Sequence, residues 1–236
     1  MSLLKRLFDA VGGTASTAFT NVVETVRTVF AGDPETRRKV AFSVAMIALS
    51  AKMAKADGVV SQEEVAAFQD IFAIPDEEAH NVARLYNLAK QDVAGYDIYA
   101  ERIAGLCGSG LSNCAMLEDI LDGLFHIAKA DSVIHQKELE FIAHVADIFG
   151  FDEEHFDRIM ARHVHPDGID PYQVLGVEPD APFAEVRRRY RKLAADSHPD
   201  ALLARGVPQE FLAIANDRMA AINAAFSHIE KQRVPA

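Results

Sequence analysis

The chain has 236 residues, half of them apolar, with 24 basic and 35 acidic groups and a net charge of −11. That length accommodates more than one folding unit, and the acidity argues against nucleic acid as a partner, because phosphate binding draws on clustered Lys and Arg. The charge is unevenly spread: from Pro171 onward 9 basic residues face 8 acidic ones, which leaves the first 170 residues at −12.

Residues 1–8 set Leu3, Leu4, Leu7 and Phe8 around Lys5 and Arg6. This short amphipathic start would dock on the body or rest at a membrane surface, and it lacks the apolar core and cleavage site of a secretory signal. Residues 40–51, between Lys39 and Lys52, form the longest strongly apolar stretch without charge. Twelve residues are too few to cross a bilayer, so the segment predicts a buried helix and no integral anchor. Within 36–55, Val40, Val44, Ile47 and Ala51 recur at helical spacing. Residues 61–72 open with Ser61 and Glu64 in capping-box spacing. Further helices are expected over 77–90, 95–107, 113–129, 136–149 and 153–163. The two cysteines, Cys107 and Cys114, make no CxxC pair and read as reduced thiols.

An internal repeat runs through this first unit. Ala54-Lys55-Ala56-Asp57-Gly58 through Val65 returns as Ala128-Lys129-Ala130-Asp131-Ser132 through Leu139, 74 residues later. Two related helix-turn-helix units that cannot bury their apolar sides alone are expected to pack face to face. Asp57 and Glu64 with Asp131 and Glu138 would bring four carboxylates together, a set suited to Ca²⁺ or Mg²⁺. The plainer reading makes Glu64 the partner of a Ser61 cap and gives Asp57 and Asp131 to loop ordering, with no cofactor required. His126, His135, His144 and His155 accompany no nucleophile or acid pattern and read as structural or surface residues, so the chain is not read as an enzyme.

Residues 164–170 read as a linker and contain a first His-Pro-Asp, at 165–167, with no basic helix before it. Beyond it, 171–177 is a short helix closed by Gly176, whose missing side chain permits a left-handed exit. Residues 183–195 place Val186, Tyr190, Leu193 and Ala194 on one face and Arg187, Arg188, Arg191 and Lys192 around the rest. Residues 210–231 supply an antiparallel partner through Phe211, Ile214, Ala215, Met219, Ile222, Phe226 and Ile229. Between these two helices lie His198-Pro199-Asp200. Pro199 biases His198 toward an extended backbone, and Asp200 can hold its carboxylate outward for a partner's arginine.

This C-terminal unit resembles the J domain of DnaJ-type co-chaperones. The resemblance rests on Tyr172 with Leu175-Gly176-Val177, Tyr190-Arg191-Lys192-Leu193-Ala194, His198-Pro199-Asp200, and the run from Met219 to Phe226. It implies contact with an ATP-loaded DnaK-like 70-kDa heat-shock chaperone through Arg187, Arg191, Lys192, His198, Pro199 and Asp200, and stimulation of its ATP hydrolysis. Pro182 stands where the family often has a capping Ser or Thr, with Asp180 as the alternative cap. The acidic repeat resembles TerB, the helical tellurite-resistance domain, and the pairing of the two looks like the DjlA subgroup of membrane-associated co-chaperones.

The expected fold is all-α: a TerB-like helical bundle with an internal repeat, joined to a small J-domain hairpin. The divisions are an N-terminal helical extension over 1–35, the TerB-like domain over 36–163, the linker over 164–170 and the J domain over 171–236. The TerB-like domain would select a protein client, a membrane-proximal partner or a second copy of the chain. A cytoplasmic location is expected, with a peripheral position at the inner membrane as the variant that residues 1–8 allow. The competing reading is a divalent-metal-responsive stress protein whose J-like tail serves only for docking.

Overall fold

A computed structural model describes residues 22, 25, 26, 28, 32–57, 68, 69, 72, 74–91, 95–105, 114–129, 134–164 and 170–233, without the side chains of residues 55–57. The helices in chain order are α1 (Pro34–Asp57), α2 (Asp76–Gln91), α3 (Tyr96–Ala104), α4 (Ala115–Ala128), α5 (Gln136–Ile148) and α6 (Glu153–Met160). They continue as α7 (Pro171–Leu175), α8 (Phe183–Asp196), α9 (Pro199–Arg205), a 3₁₀ turn at Gln209–Phe211 and α10 (Ala213–Arg233). Among the described residues there is no strand.

α1 is the axis of the first domain. It starts where the Asp33 carboxylate accepts the Thr36 amide at 3.0 Å, and nearly every side chain from Val40 to Ala51 is buried. A helix that is apolar all round has to lie inside the protein, and α2, α3, α4 and α5 pack around this one. Its polar residues are neutralised locally: Ser50 donates its hydroxyl to the Met46 carbonyl at 2.5 Å, and the Lys52 ammonium sits 4.4 Å from the centre of the Tyr99 ring.

The second copy of the repeat forms the end of α4 and the start of α5. There the Glu138 carboxylate accepts the His135 amide at 2.9 Å, as the acid of a capping box does. In the first copy, residues 58–67 lie outside the described residues, while Phe68 and Phe72 join the core. α1 packs on both α4 and α5, so the two copies share one core. Cys114, just before α4, is disulfide-bonded, contrary to the reduced thiol expected from the sequence. The chain's one other cysteine, Cys107, lies outside the described residues.

α7, α8 and the second half of α10 enclose a smaller core of Val174, Leu175, Val186, Ile222, Ala225 and Ile229. Gly176 takes φ +62, as expected, and a Cβ there would come within 2.6 Å of Arg158 Cδ. Neither Pro182 nor Asp180 supplies a side-chain cap to α8. Instead the Arg233 guanidinium, at the end of α10, donates to the Ala181 and Pro179 carbonyls and to the Tyr172 hydroxyl, pinning the α7–α8 connection.

The division between the two cores does not fall at the start of the C-terminal unit. Leu202, Val207, Phe211, Ile214 and Ala215 follow the His-Pro-Asp sequence, yet they pack into the first domain's core. Phe211 lies edge-on to Phe42 at 5.2 Å and 4.8 Å from Phe72, ring centre to ring centre. Phe211, Ile214 and Ala215 were expected inside the hairpin. Helical periodicity groups them with Ile222 and Ile229 but does not say which neighbour receives them. Gly206 marks the same junction: it has φ +101, and a Cβ there would meet Arg38 Cβ of α1 at 2.5 Å. Gly206→Ala is expected to lower the melting temperature by about 2–6 °C, because the left-handed backbone alone costs about 1–2 kcal/mol. Thermal unfolding followed by circular dichroism checks this.

Candidate functional site

The inner face of α8 is set by Val186, fully buried, and by Tyr190, which stacks on Phe226 with ring centres 4.1 Å apart. The Tyr190 hydroxyl donates to Asn223 Oδ1 at 3.1 Å. Arg189 turns inward as well, its Nε donating to the Leu175 carbonyl at 2.9 Å. The 3.6-residue period then obliges Arg187, Arg191 and Lys192 to point outward, and all three are exposed. The Arg187 guanidinium lies 5.1 Å from the Phe183 ring centre. Among the described residues no carboxylate pairs with Arg187, Arg191 or Lys192.

α8 stops at Ser197, which is buried and donates its amide to the Leu193 carbonyl at 2.9 Å. The next three residues form a helix start, where the sequence had placed only a loop. His198 has φ −63 and ψ 140, the extended backbone that a following proline imposes, and caps α9. Its Nδ1 accepts the Asp200 amide at 3.2 Å, so the neutral ring carries its proton on Nε2. Pro199 is the first helical residue, where a missing N–H costs nothing. The Asp200 side chain is 87% exposed and that of His198 57%. The turn therefore presents an exposed imidazole and carboxylate just past the end of the helix that carries the three exposed cations. Nothing in it is arranged to activate a nucleophile.

A second polar cluster lies between the two domains, and sequence reasoning missed it. Glu118, Asp119 and Asp122 of α4 face Arg162 and His163 after α6, Arg205 of α9 and Arg218 of α10. Asp119 and Asp122 are fully buried. Asp119 takes Arg205 Nε and Nη2 at 2.8 and 2.9 Å and Arg218 Nη2 at 2.8 Å. Asp122 accepts from Arg218, from Arg162 Nη1 at 3.2 Å and from His163 Nε2 at 2.6 Å. Glu118 is bound by Arg162 at 2.8 Å and His155 at 3.2 Å. At the edge, Asp217 of α10 receives His126 and Lys129, each at 2.6 Å.

Burial opposes ionisation of Asp122, but the Arg218 and Arg162 guanidinia outweigh it and hold the carboxyl far below the usual carboxylate range. For Glu118, burial is likewise overcome by the His155 hydrogen bond and by Arg162, and its pKa is lowered to about 2. For His163, burial wins over Asp122 and pushes the imidazole below its ordinary value. The sequence clue was three acids within five residues of an otherwise apolar helix. His126 and His155 are thus tied to Asp217 and Glu118, and His144 pairs with Asp97 at 2.7 Å.

Of the four carboxylates considered for a cation, Glu64, Asp131 and the Asp57 side chain lie outside the described residues. Glu138 is engaged with the His135 amide. Among the described residues no group of three or more His, Cys, Asp or Glu is placed to hold a metal ion, and no helix is long and apolar enough to cross a membrane.

Comparison with known proteins finds two matching domain families and a set of relatives. The family model for tellurite resistance protein TerB matches residues 43–161, and that for the DnaJ domain matches residues 170–232. The co-chaperone protein DjlA of Photobacterium profundum is 28% identical over 222 residues, covering 83% of this chain and 79% of its own length. DjlA of Coxiella burnetii is 27% identical over 201 residues, 77% of this chain and 73% of its own. DjlA of Shewanella oneidensis reaches 31% identity over 118 residues, 45% of each chain. No solved structure matches.

Proposed function

The chain belongs to the TerB family and joins that domain to a DnaJ domain in the DjlA-like arrangement, and on that premise we propose that it is a J-domain co-chaperone that binds a DnaK-like 70-kDa chaperone and stimulates its ATP hydrolysis. Like its family, it is not itself an enzyme. The observation that supports this reading is the exposed face of Arg187, Arg191 and Lys192, unpaired with any carboxylate among the described residues, on the helix that leads to an exposed His198 and Asp200. An acidic groove on the chaperone would receive the cations, and the turn would engage a second, polar contact. The TerB-like domain acts as the client or partner adaptor, in the cytoplasm or at the surface of the inner membrane.

The test is single-turnover ATP hydrolysis by the DnaK-like chaperone of the same organism, titrated with this chain. Saturable acceleration is expected, and its absence would sink the reading. Arg191→Glu should raise the half-saturating concentration about tenfold at low salt, with the difference narrowing at high salt, because the contact is an exposed electrostatic one. An unchanged titration curve would exclude the basic face as the contact.

A further inference from the structure

One side chain ties the two flanks of the chaperone-docking turn to each other and to the first domain. Arg205 is the last residue of α9, seven residues beyond His198. Its Nη1 donates to the carbonyl of Asp196 at 2.8 Å, the last residue of α8, just before the turn. Its Nε and Nη2 grip both oxygens of Asp119, on α4 of the TerB-like domain. One planar guanidinium therefore closes the loop between the end of α8 and the end of α9 and fastens that loop to a fully buried carboxylate.

We propose that the TerB-like domain positions the docking turn: Asp119, acting through Arg205, fixes the angle between the basic helix α8 and the His198–Asp200 turn. The inference rests on the reading of that turn as the chaperone contact. α9 needs such support, since a seven-residue helix is not stable alone. Leu202 and Val207 anchor its apolar side in the first domain's core, but apolar packing tolerates sliding. The bidentate pair and the Asp196 carbonyl supply direction. Asp119 is itself kept in place by Arg218 of α10, at 2.8 Å, so α4, α9 and α10 meet at this one carboxylate. The exposed cations of α8 make no part of this clasp. Docking strength and turn geometry thus depend on different residues, and a variant can separate them.

Arg205→Gln is expected to lower the plateau of stimulated hydrolysis about fivefold or more, because a misplaced contact group loses its effect steeply with small displacements. The half-saturating concentration, set by Arg187, Arg191 and Lys192, should stay within about twofold, since their exposed contacts are untouched. A purely structural lesion gives the opposite pattern: a smaller folded fraction raises the half-saturating concentration and spares the plateau. Arg205→Lys, which keeps the charge but not the fork, should recover only part of the plateau, and Asp119→Asn added to Arg205→Gln should cost nothing more. A wild-type plateau in Arg205→Gln overturns the inference. Should the unaltered chain stimulate nothing, the co-chaperone reading fails, and the clasp is judged by hydrogen exchange of the Asp200, Ala201 and Leu202 amides. About tenfold faster exchange in Arg205→Gln upholds the clasp and an unchanged rate removes it.

Discussion

A His198→Gln chain is expected to reach the DnaK-like chaperone with nearly its original half-saturating concentration and to lose its stimulation of ATP hydrolysis about tenfold or more, equivalent to about 1.4 kcal/mol or more of lost contact with the activated state. The cations that bring the partners together are on α8 and are untouched. What changes is the group the turn presents. The imidazole is oriented by the bond from the Asp200 amide to Nδ1, which leaves Nε2 outside that bond. A glutamine side chain has an extra rotatable bond and no reason to hold either of its polar atoms there. The fold should tolerate the change, because the His198 side chain is 57% exposed and its bonds are local. Loss of the α9 cap costs about 1 kcal/mol. Melting temperature and stimulation are therefore expected to part company. Undiminished stimulation by the variant would mean that the turn is not what acts, and would leave the basic face as a mere tether.

The outward-facing half of this site was legible in the sequence because it depends on local rules. Period 3.6 separates Tyr190 and Leu193 from Arg191 and Lys192, and proline dictates the backbone of the residue before it. Even α9, which the sequence reading passed over, carries a local signal: Pro199 at its first position and Gly206 just past its end, now seen at φ +101. The junction between the domains was not legible, and the reason is physical. Asp119 and Arg205 are 86 residues apart, and nothing in the spacing of either reveals the other. Acids on an apolar helix read equally well as a solvated stripe. Likewise, Phe211, Ile214 and Ala215 continue the periodicity of a helix that serves two cores, and α10 changes partners midway without any break in its sequence. The fold class needed only periodicity, whereas the joining of the domains needed knowledge of which surfaces meet.

Asp122→Ala should be the most damaging single change to stability, lowering it by about 3–5 kcal/mol, the usual cost of removing one partner from a buried ionic cluster. The carboxylate is fully buried and answers Arg162, Arg218 and His163 together. The Nε atoms of both arginines already lack a partner, so the cluster has no spare acceptor to take over. Because α4 packs on α1 and on α10, the damage reaches both cores, and the two domains should still unfold in one transition. The loss should also depend on pH in a defined direction. Asp122 and Glu118 are depressed in the folded protein, so their contribution is complete above the ordinary carboxylate pKa, about 4, and fades as pH falls below it. His163 is also depressed, by burial, and remains neutral when folded. The unfolded imidazole gains its proton near pH 6.5, so acidification from about 6.5 favours unfolding through this group as well. The intact chain should thus hold its denaturant midpoint above pH 7, lose some stability below about 6.5 and lose it faster below about 4. Asp122→Ala forgoes the Asp122 share of the last of these losses, having no carboxylate there to protonate, while Glu118 still contributes its own. Its deficit should be widest at pH 7 and narrow toward pH 3, as urea midpoints measured across that range would reveal; a deficit that stayed constant would show that Asp122 acts by filling space and not by its charge.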